Sequence, residues 1–366
     1  MRRNYKLRVA LVVGARPNFM KAAPLLIQAK KFPEIKFTLI HTDQHYDYKM
    51  SKVFFDELGI PEPDIHLGVK SDFHSEKLGR MAKALEKAFR EQKTDLVMVL
   101  GDTNSTLAGA IGASAVGQKV AHVEAGLRSY DRRMPEEINR VVVDHLSCLL
   151  LTSEKSGEEH LVAEGVSPTK IKFVGNLMIE NLINSLPKIK QYEIVSQKKL
   201  LNKEYVVTTI HRQENVDDPK ILNRILKTLK DVSMNIKIVM PLHPGTRKKI
   251  IDFGFTKYLK YFTCLDPLGY FEFIKLVKCS AGVITDSGGI QEETSYLGIT
   301  CCTIRDNTER PVTLTQGTNK LFPLVNLNTE SLLAHINNKN GRKSPLIPFW
   351  DAGVSLRIFN ELQKLY

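Results

Sequence analysis

Three carboxylates recur just beyond short apolar runs, in Gly101-Asp102-Thr103-Asn104, in His122-Val123-Glu124-Ala125-Gly126-Leu127-Arg128 and in Pro135-Glu136-Glu137-Ile138-Asn139-Arg140. Read singly, each has an ordinary explanation. Asp102 precedes a helical stretch, where a carboxylate caps the helix for ~1 kcal/mol. Glu136 and Arg140 stand four apart, a surface pair worth ~0.3–0.5 kcal/mol. Brought to one edge by consecutive units, the three would shift one another's pKa, which marks functional sites. Arg16 and Lys21, in Gly14-Ala15-Arg16-Pro17-Asn18-Phe19-Met20-Lys21, put two cations after the first apolar run. That stretch lacks the G-x-G-x-x-G dinucleotide fingerprint, and a solvated turn is its plain alternative.

The second half of the chain offers complementary chemistry. Thr209-Ile210-His211-Arg212-Gln213-Glu214-Asn215 sets His211 beside Arg212, where it could contact a phosphate or move a proton. A lone histidine is more often structural, and Pro241-Leu242-His243-Pro244-Gly245 reads equally as a rigid turn. The most informative segment is Thr285-Asp286-Ser287-Gly288-Gly289-Ile290-Gln291-Glu292-Glu293. A strand meets a Ser-Gly-Gly turn and then a helix, so free N–H groups and the helix dipole make a diphosphate site. Glu293 lies one turn into that helix, suited to accept from two ribose hydroxyls, and Arg305–Pro311 brings further cations, Arg310 among them. A nucleoside diphosphate-sugar follows, with its nucleotide on the second half and its sugar against the carboxylates of the first.

These residues need a scaffold of strand ends. Leu7–Val13, Phe37–His41, Leu96–Leu100, Val120–Val123, Cys148–Leu151 and Ile171–Val174 read as buried parallel strands. Asn18–Lys30, Glu76–Gln92, Asn104–Val116, Glu136–His145 and Glu154–Glu164 read as the helices between them. After a lysine-rich stretch, Leu186–Lys203, which reads as a linker or surface helix, the alternation restarts. Its strands are Tyr205–Ile210, Ile236–Met240, Phe262–Leu265, Gly282–Thr285 and Thr300–Ile304, with helices over Pro219–Asp231, Tyr270–Lys278 and Gly288–Leu297. The fold class is therefore α/β, two doubly wound Rossmann-like domains, with residues 1–176 first and 177–350 second. Ligands bind beyond the carboxyl ends of such strands, which predicts an active site in an interdomain cleft.

Composition narrows the class without choosing the substrate. The 366 residues suit two domains, and 43% hydrophobic with 25% charged residues excludes a disordered or fibrous chain. Lys and Arg number 52 against 40 Asp and Glu, a net charge of +12 that fits nucleic acid, phosphorylated small molecules or a lysine-rich surface alike. No nucleic-acid motif or aromatic interleaving accompanies the basic residues. Five cysteines, an odd number without C-x-x-C or a histidine at metal-ligand spacing, fit a reducing compartment and no metal site. No apolar stretch reaches the ~18 residues of a membrane span, and the N-terminus shows no signal core. A soluble, cytoplasmic protein is expected.

Taken together, GARPNFMKAAPL, DQHYD, GDTNSTLAGA, HVEAGLRS, PEEINR, TIHRQEN, PLHPG, DPLGY, TDSGGIQEE and RDNTERP run through nearly the whole chain. In that order they resemble the non-hydrolysing UDP-N-acetylglucosamine 2-epimerases. The resemblance implies the glycosyltransferase-B fold, with a C-terminal helix, here residues 351–366, crossing back to the first domain. It implies reversible conversion of UDP-N-acetylglucosamine to UDP-N-acetylmannosamine, by anti elimination of UDP to 2-acetamidoglucal and re-addition on the other face. No cofactor or essential metal is implied, and a homodimer is. By position, Asp102, Glu124, Glu136 and His211 match the family's catalytic residues, and Arg16, Lys21 and Arg140 its cationic ones. Ser287, Gly288, Gly289, Glu293 and Arg310 match the UDP site, with Phe273 beside the uracil. Gln44, Arg212 and His243 resemble parts of the allosteric UDP-N-acetylglucosamine site of many bacterial members, whereas His66–Ser75 does not reproduce its basic contact. Asn18 departs from the Glu common after Arg-Pro.

Three rivals share part of this pattern. A hydrolysing epimerase of the same fold would release UDP and free N-acetylmannosamine. A retaining glycosyltransferase needs no proton exchange at C2, so three carboxylates argue against it. A nucleotide-sugar sensor has no need of the catalytic positions, which here are all filled.

Overall fold

The computed structural model describes residues 5–42, 55, 57–69, 73–338 and 346–366, with Arg16 and His74 described in their backbone only. The chain divides into two compact units, Met1–Asn184 with Pro348–Tyr366, and Ser185–Ile347.

The first unit is built on strands β1 (Leu7–Val13), β2 (Ile35–His41), β3 (Ile65–His66), β4 (Leu96–Leu100), β5 (Lys119–Ala125), β6 (Leu149–Thr152) and β7 (Ile171–Phe173). All pair in parallel, in the order β3-β2-β1-β4-β5-β6-β7. Helices α1 (Arg16–Ala29), α2 (His74–Gln92), α3 (Asn104–Ala115), α4 (Pro135–Leu146), α5 (Lys155–Ala163) and α6 (Leu177–Ile189) connect or follow them. Every residue of the Leu-Val-Met-Val-Leu run in β4 is buried, as expected of a central parallel strand covered on both faces.

The second unit repeats the plan with β8 (Tyr205–Thr209), β9 (Lys237–Pro241), β10 (Thr263–Leu265), β11 (Gly282–Thr285), β12 (Thr300–Thr303) and β13 (Asn319–Leu321). Their order is β10-β9-β8-β11-β12-β13. Its longer helices are α7 (Pro219–Ser233), α8 (Pro244–Asp252), α9 (Tyr270–Lys278), α10 (Gly288–Leu297) and α11 (Thr329–Asn337). Strand order reverses beside β1/β4 in one sheet and β8/β11 in the other, so each sheet has a topological switch point where ligands bind.

The division falls after Asn184, inside α6. The reason is local: the Glu180 carboxylate accepts from the Ser355 backbone N–H and hydroxyl, both at 2.6 Å, and Asn181 donates to the Met20 sulfur at 3.5 Å. Helix α12 (Val354–Gln363) packs in the same unit, where Phe359 meets Phe32 and Phe37 at ring distances of 4.7 and 5.3 Å. The lysine-rich stretch holds the end of α6 and a short turn at Ile194–Gln197, anchored by buried Ile189 and Ile194. Among the described residues no helix is long and apolar enough to cross a membrane.

Candidate active site

In the first unit the candidate residues gather at the switch point. The Asn18 side chain accepts from the backbone of Gly14 and Ala15 at 3.2 and 3.1 Å and donates to the Leu100 carbonyl at 2.8 Å. It thereby ties the turn after β1 to the turn after β4, a structural task for the residue that departs from the family motif. Lys21, on α1, forms a buried ion pair with Glu124, the side chains being 7% and 8% exposed. Glu124 has φ 70°, at a register break between Val123 and Ala125. Gly101 (φ 66°) faces this pair: a Cβ there would lie 2.6 Å from Lys21 Nζ and 3.4 Å from Glu124 Oε2.

Asp102 follows Gly101 and is not the cap of α3. Thr103 fills that position, its hydroxyl accepting from the Thr106 N–H at 3.4 Å. The Asp102 carboxylate instead accepts from Arg140 Nε and Nη2 at 3.0 and 2.7 Å, and Asn139 donates to the Asp102 carbonyl at 2.9 Å. Arg140, almost wholly buried, also pairs with Glu137 at 2.6 Å. Glu137 organises the loop before α4, accepting from the backbone of Ser129 and Tyr130, both at 2.9 Å. Thus Glu137, and not Glu136, is the helix partner of Arg140. Glu136 lies half-buried in the first turn of α4, and among the described residues no hydrogen bond or ion pair engages it.

In the second unit Asp286 is the organising residue, which the sequence pattern did not single out. It is fully buried at the end of β11, accepts from the backbone N–H of His211 and Arg212, both at 2.9 Å, and from the Asn215 amide at 3.1 Å. His211 Nδ1 lies 3.0 Å from Asp286 Oδ1, while 42% of the histidine side chain remains exposed. Burial pushes the Asp286 carboxyl upward, but the hydrogen bond and charge of His211, then Arg212 and Asn215, hold it below its ordinary range. Arg212 donates through Nε to the Asp286 carbonyl at 2.9 Å. The His243 ring centres 6.2 Å from that of His211, and burial, then the His211 charge, depress its pKa against a smaller opposing effect of Asp286.

Ser287 is the N-cap of α10 and makes no side-chain capping bond. Ser287, Gly288 and Gly289 are half-buried there. A Cβ on Gly288 would stand 2.6 Å from Arg310 Nη1 and 2.7 Å from Glu309 Oε1, so only glycine lets this turn approach the pair. Arg310 forms ion pairs with Glu309 and with Glu292, whose Oε1 lies 2.9 Å from its Nε, while Arg305 reaches Glu309 at 2.8 Å. Two buried arginines are thus set against two buried glutamates. Glu293 on α10 and Phe273 on α9 are buried, at 4% and 9% exposure. The Arg16 side chain and Gln44 lie outside what is described. Among the described residues no group of three or more His, Cys, Asp or Glu is placed to hold a metal.

Residues 27–363 match the family model for UDP-N-acetylglucosamine 2-epimerase. A UDP-N-acetylglucosamine 2-epimerase of Methanococcus maripaludis is 40% identical over 322 residues, 86% of this chain and 87% of its own. A UDP-2,3-diacetamido-2,3-dideoxy-D-glucuronate 2-epimerase of Pseudomonas aeruginosa is 38% identical over 86% of this chain and 88% of its own. The structure of the Methanocaldococcus jannaschii UDP-GlcNAc 2-epimerase, in complex with UDP-GlcNAc and UDP, superposes with a TM-score of 0.90 at 37% identity, over 98% of this chain and 100% of that one.

Proposed function

The chain belongs to the UDP-N-acetylglucosamine 2-epimerase family, and from that premise we propose that it interconverts UDP-N-acetylglucosamine and UDP-N-acetylmannosamine without hydrolysis. The observation that carries this reading is the pairing of two strand-end carboxylates with cations, Glu124 with Lys21 and Asp102 with Arg140, around the Gly101 turn. Epimerisation at C2 needs one group to take a weakly acidic proton and another to return one from the opposite face.

In the proposed course, a carboxylate removes the C2 proton, the C1=C2 double bond forms, and the C1–O bond breaks with its electron pair leaving on UDP. UDP then re-adds through oxygen to C1 of the 2-acetamidoglucal while C2 is protonated on the other face. Asp102 acts as a C2 acid/base, and His211, oriented by Asp286, assists the departing diphosphate. Glu124 and Glu136 share the remaining proton traffic. Lys21, Arg140, Arg16 and Arg310 are the cations proposed for the nucleotide-sugar, since fixed charges aimed at developing negative charge are worth most in a dry site. Ser287, Gly288 and Gly289 take the diphosphate at the start of α10, Glu293 the ribose and Phe273 the uracil. Arg212, His243 and Gln44 remain candidates for a second nucleotide-sugar site. A homodimer is proposed as well, and exposed Ile138, Val142 and Leu146, spaced by four on α4, support it; light scattering of the purified chain tests it.

Incubation with UDP-N-acetylglucosamine in heavy water tests the whole reading. Deuterium at C2 of both epimers with the UDP linkage intact is expected. Continuous release of UDP and free N-acetylmannosamine identifies a hydrolysing enzyme, and no deuterium at C2 refutes epimerisation. A parallel reaction with a UDP-diacetamido-glucuronate measures the choice of sugar, which the Pseudomonas relative makes necessary.

A further inference from the structure

His122 sits in β5 two residues before Glu124 and is fully buried, paired in register with Val99 of β4 and Leu150 of β6. Its Nδ1 lies 2.6 Å from Asp144 Oδ1, and its Nε2 lies 2.8 Å from the Gly101 carbonyl oxygen. A backbone carbonyl can only accept. The other oxygen of Asp144 accepts from the Gly126 N–H at 3.1 Å and lies 2.7 Å from Arg128 Nη2, so this carboxylate too is an acceptor. A neutral imidazole would turn a lone pair toward one of these two oxygens.

We propose that His122 carries a proton on both ring nitrogens and is the positioning residue that fixes the turns bearing Asp102 and Glu124. The charged groups around it balance only in that form. From α4 comes Asp144, from the loop after β5 comes Arg128, and Glu164 follows α5; Arg128 Nη2 lies 2.7 Å from both carboxylates. With His122 cationic there are two positive and two negative charges, and buried charges are tolerated when so matched.

The two hydrogen bonds act on opposite sides of the site. Through Nε2 the ring holds the peptide carbonyl that immediately precedes Asp102. Through Nδ1 it holds Asp144, whose other oxygen accepts from the Gly126 N–H at 3.1 Å, two residues beyond Glu124. The left-handed bend at Glu124 is therefore clamped from behind by His122 and Asp144. Among the described residues His122 hydrogen-bonds to Asp144 and to the Gly101 carbonyl, neither of which is proposed to handle the substrate.

For its catalytic consequence this inference rests on the epimerase reading; the protonation state stands without it. In the full-length protein labelled with 15N-histidine, one of the ten histidines should show a hydrogen on both ring nitrogens at neutral pH. That signal should vanish in His122→Gln, or in Asp144→Asn if the first variant does not fold. A His122 signal of a neutral tautomer overturns the proposal. In turnover assays His122→Gln should lower kcat by ~10²-fold, the scale of an ångström of misplacement, with KM nearly unchanged. A purely structural residue would lower the melting temperature and leave kcat per folded molecule intact, and that result also overturns it. If the wild type shows no epimerase turnover, the functional reading fails while the nitrogen spectrum still decides the protonation.

Discussion

Glu124 delivers its carboxylate to the Lys21 ammonium from a left-handed backbone, φ 70°, at the register break near the end of β5. A non-glycine residue held there costs ~1–3 kcal/mol and persists only where its surroundings over-determine it. The surroundings here are unusually specific. Gly101, itself left-handed, leaves room for both partners, and the Gly126 N–H is held by Asp144 just beyond the bend. Strain of this kind, carried by a buried carboxylate beside a buried amine, supports the catalytic role proposed for Glu124.

Glu124→Gln should therefore lower kcat by at least ~10²-fold, the low end for a general acid or base. It should also lower the melting temperature, because it removes the charge opposite a buried ammonium. Adding Lys21→Met should restore most of the lost melting temperature and none of the turnover. Calorimetry and turnover on the single and double variants separate the two effects. Recovery of activity in the double variant would show that the pair serves the fold alone.

Asp102 and Glu136 differ in what they hold, and their variants should differ accordingly. Asp102→Asn keeps an acceptor for Arg140 but loses the charge that answers it, so a fall in kcat of at least ~10²-fold should come with some loss of stability. Glu136 engages no described partner, so Glu136→Gln should lower kcat as far with the melting temperature unmoved. Deuterium incorporation at C2, followed by NMR, should slow in parallel with turnover. Near-wild-type exchange in both variants would remove them from the proton-transfer steps.

The strand ends were legible in the sequence because buried parallel strands announce themselves as continuous apolar runs. Leu96–Leu100 and Gly282–Thr285 have the same bounds in sequence and structure, as do the helices Tyr270–Lys278 and Gly288–Leu297. The partners at those ends were not legible. Asp286 meets His211 across 75 positions of sequence because β8 and β11 are neighbours, with Thr209 opposite Thr285. Whether Glu136 or Glu137 turns inward is a matter of helix phase at the first turn, which composition leaves open. Asp102 read as the cap of α3, but Thr103 fills that position and the carboxylate goes to Arg140, a partner 38 positions away. β13 and α11 escaped notice because their runs are short or weakly patterned.

At the proposed nucleotide site, Gly288→Ala should act through geometry alone. The added methyl would stand 2.6 Å from Arg310 Nη1, so the arginine must move from its place between Glu309 and Glu292. UDP binding by calorimetry should weaken by at least ~10-fold, about 1.4 kcal/mol. Glu293→Ala should weaken it too, by loss of the proposed ribose contact. An unchanged dissociation constant in either variant takes that residue out of the UDP site.

Acid should destabilise the fold in two stages, and the sign follows from the direction of each shift. His243 is depressed below its ordinary 6.5, so as pH falls through that value the unfolded chain takes up a proton that the folded chain resists. Asp286 and Asp144 are held below 3.8, so their contribution is fully present above that value and is lost as pH falls through their lower folded values. Glu180, raised above 4.5 by burial, acts in the opposite sense: it stabilises the acid form and partly offsets the loss. Urea midpoints measured from neutral pH down to about pH 2 should decline gently below 6.5 and more steeply once the pH passes below 3.8. Asp286→Asn removes one of the depressed carboxyls, so its midpoint, although lower at neutral pH, should fall less steeply at the acid end. Equal slopes in the two proteins would mean that Asp286 is not held ionised by His211 and its neighbours.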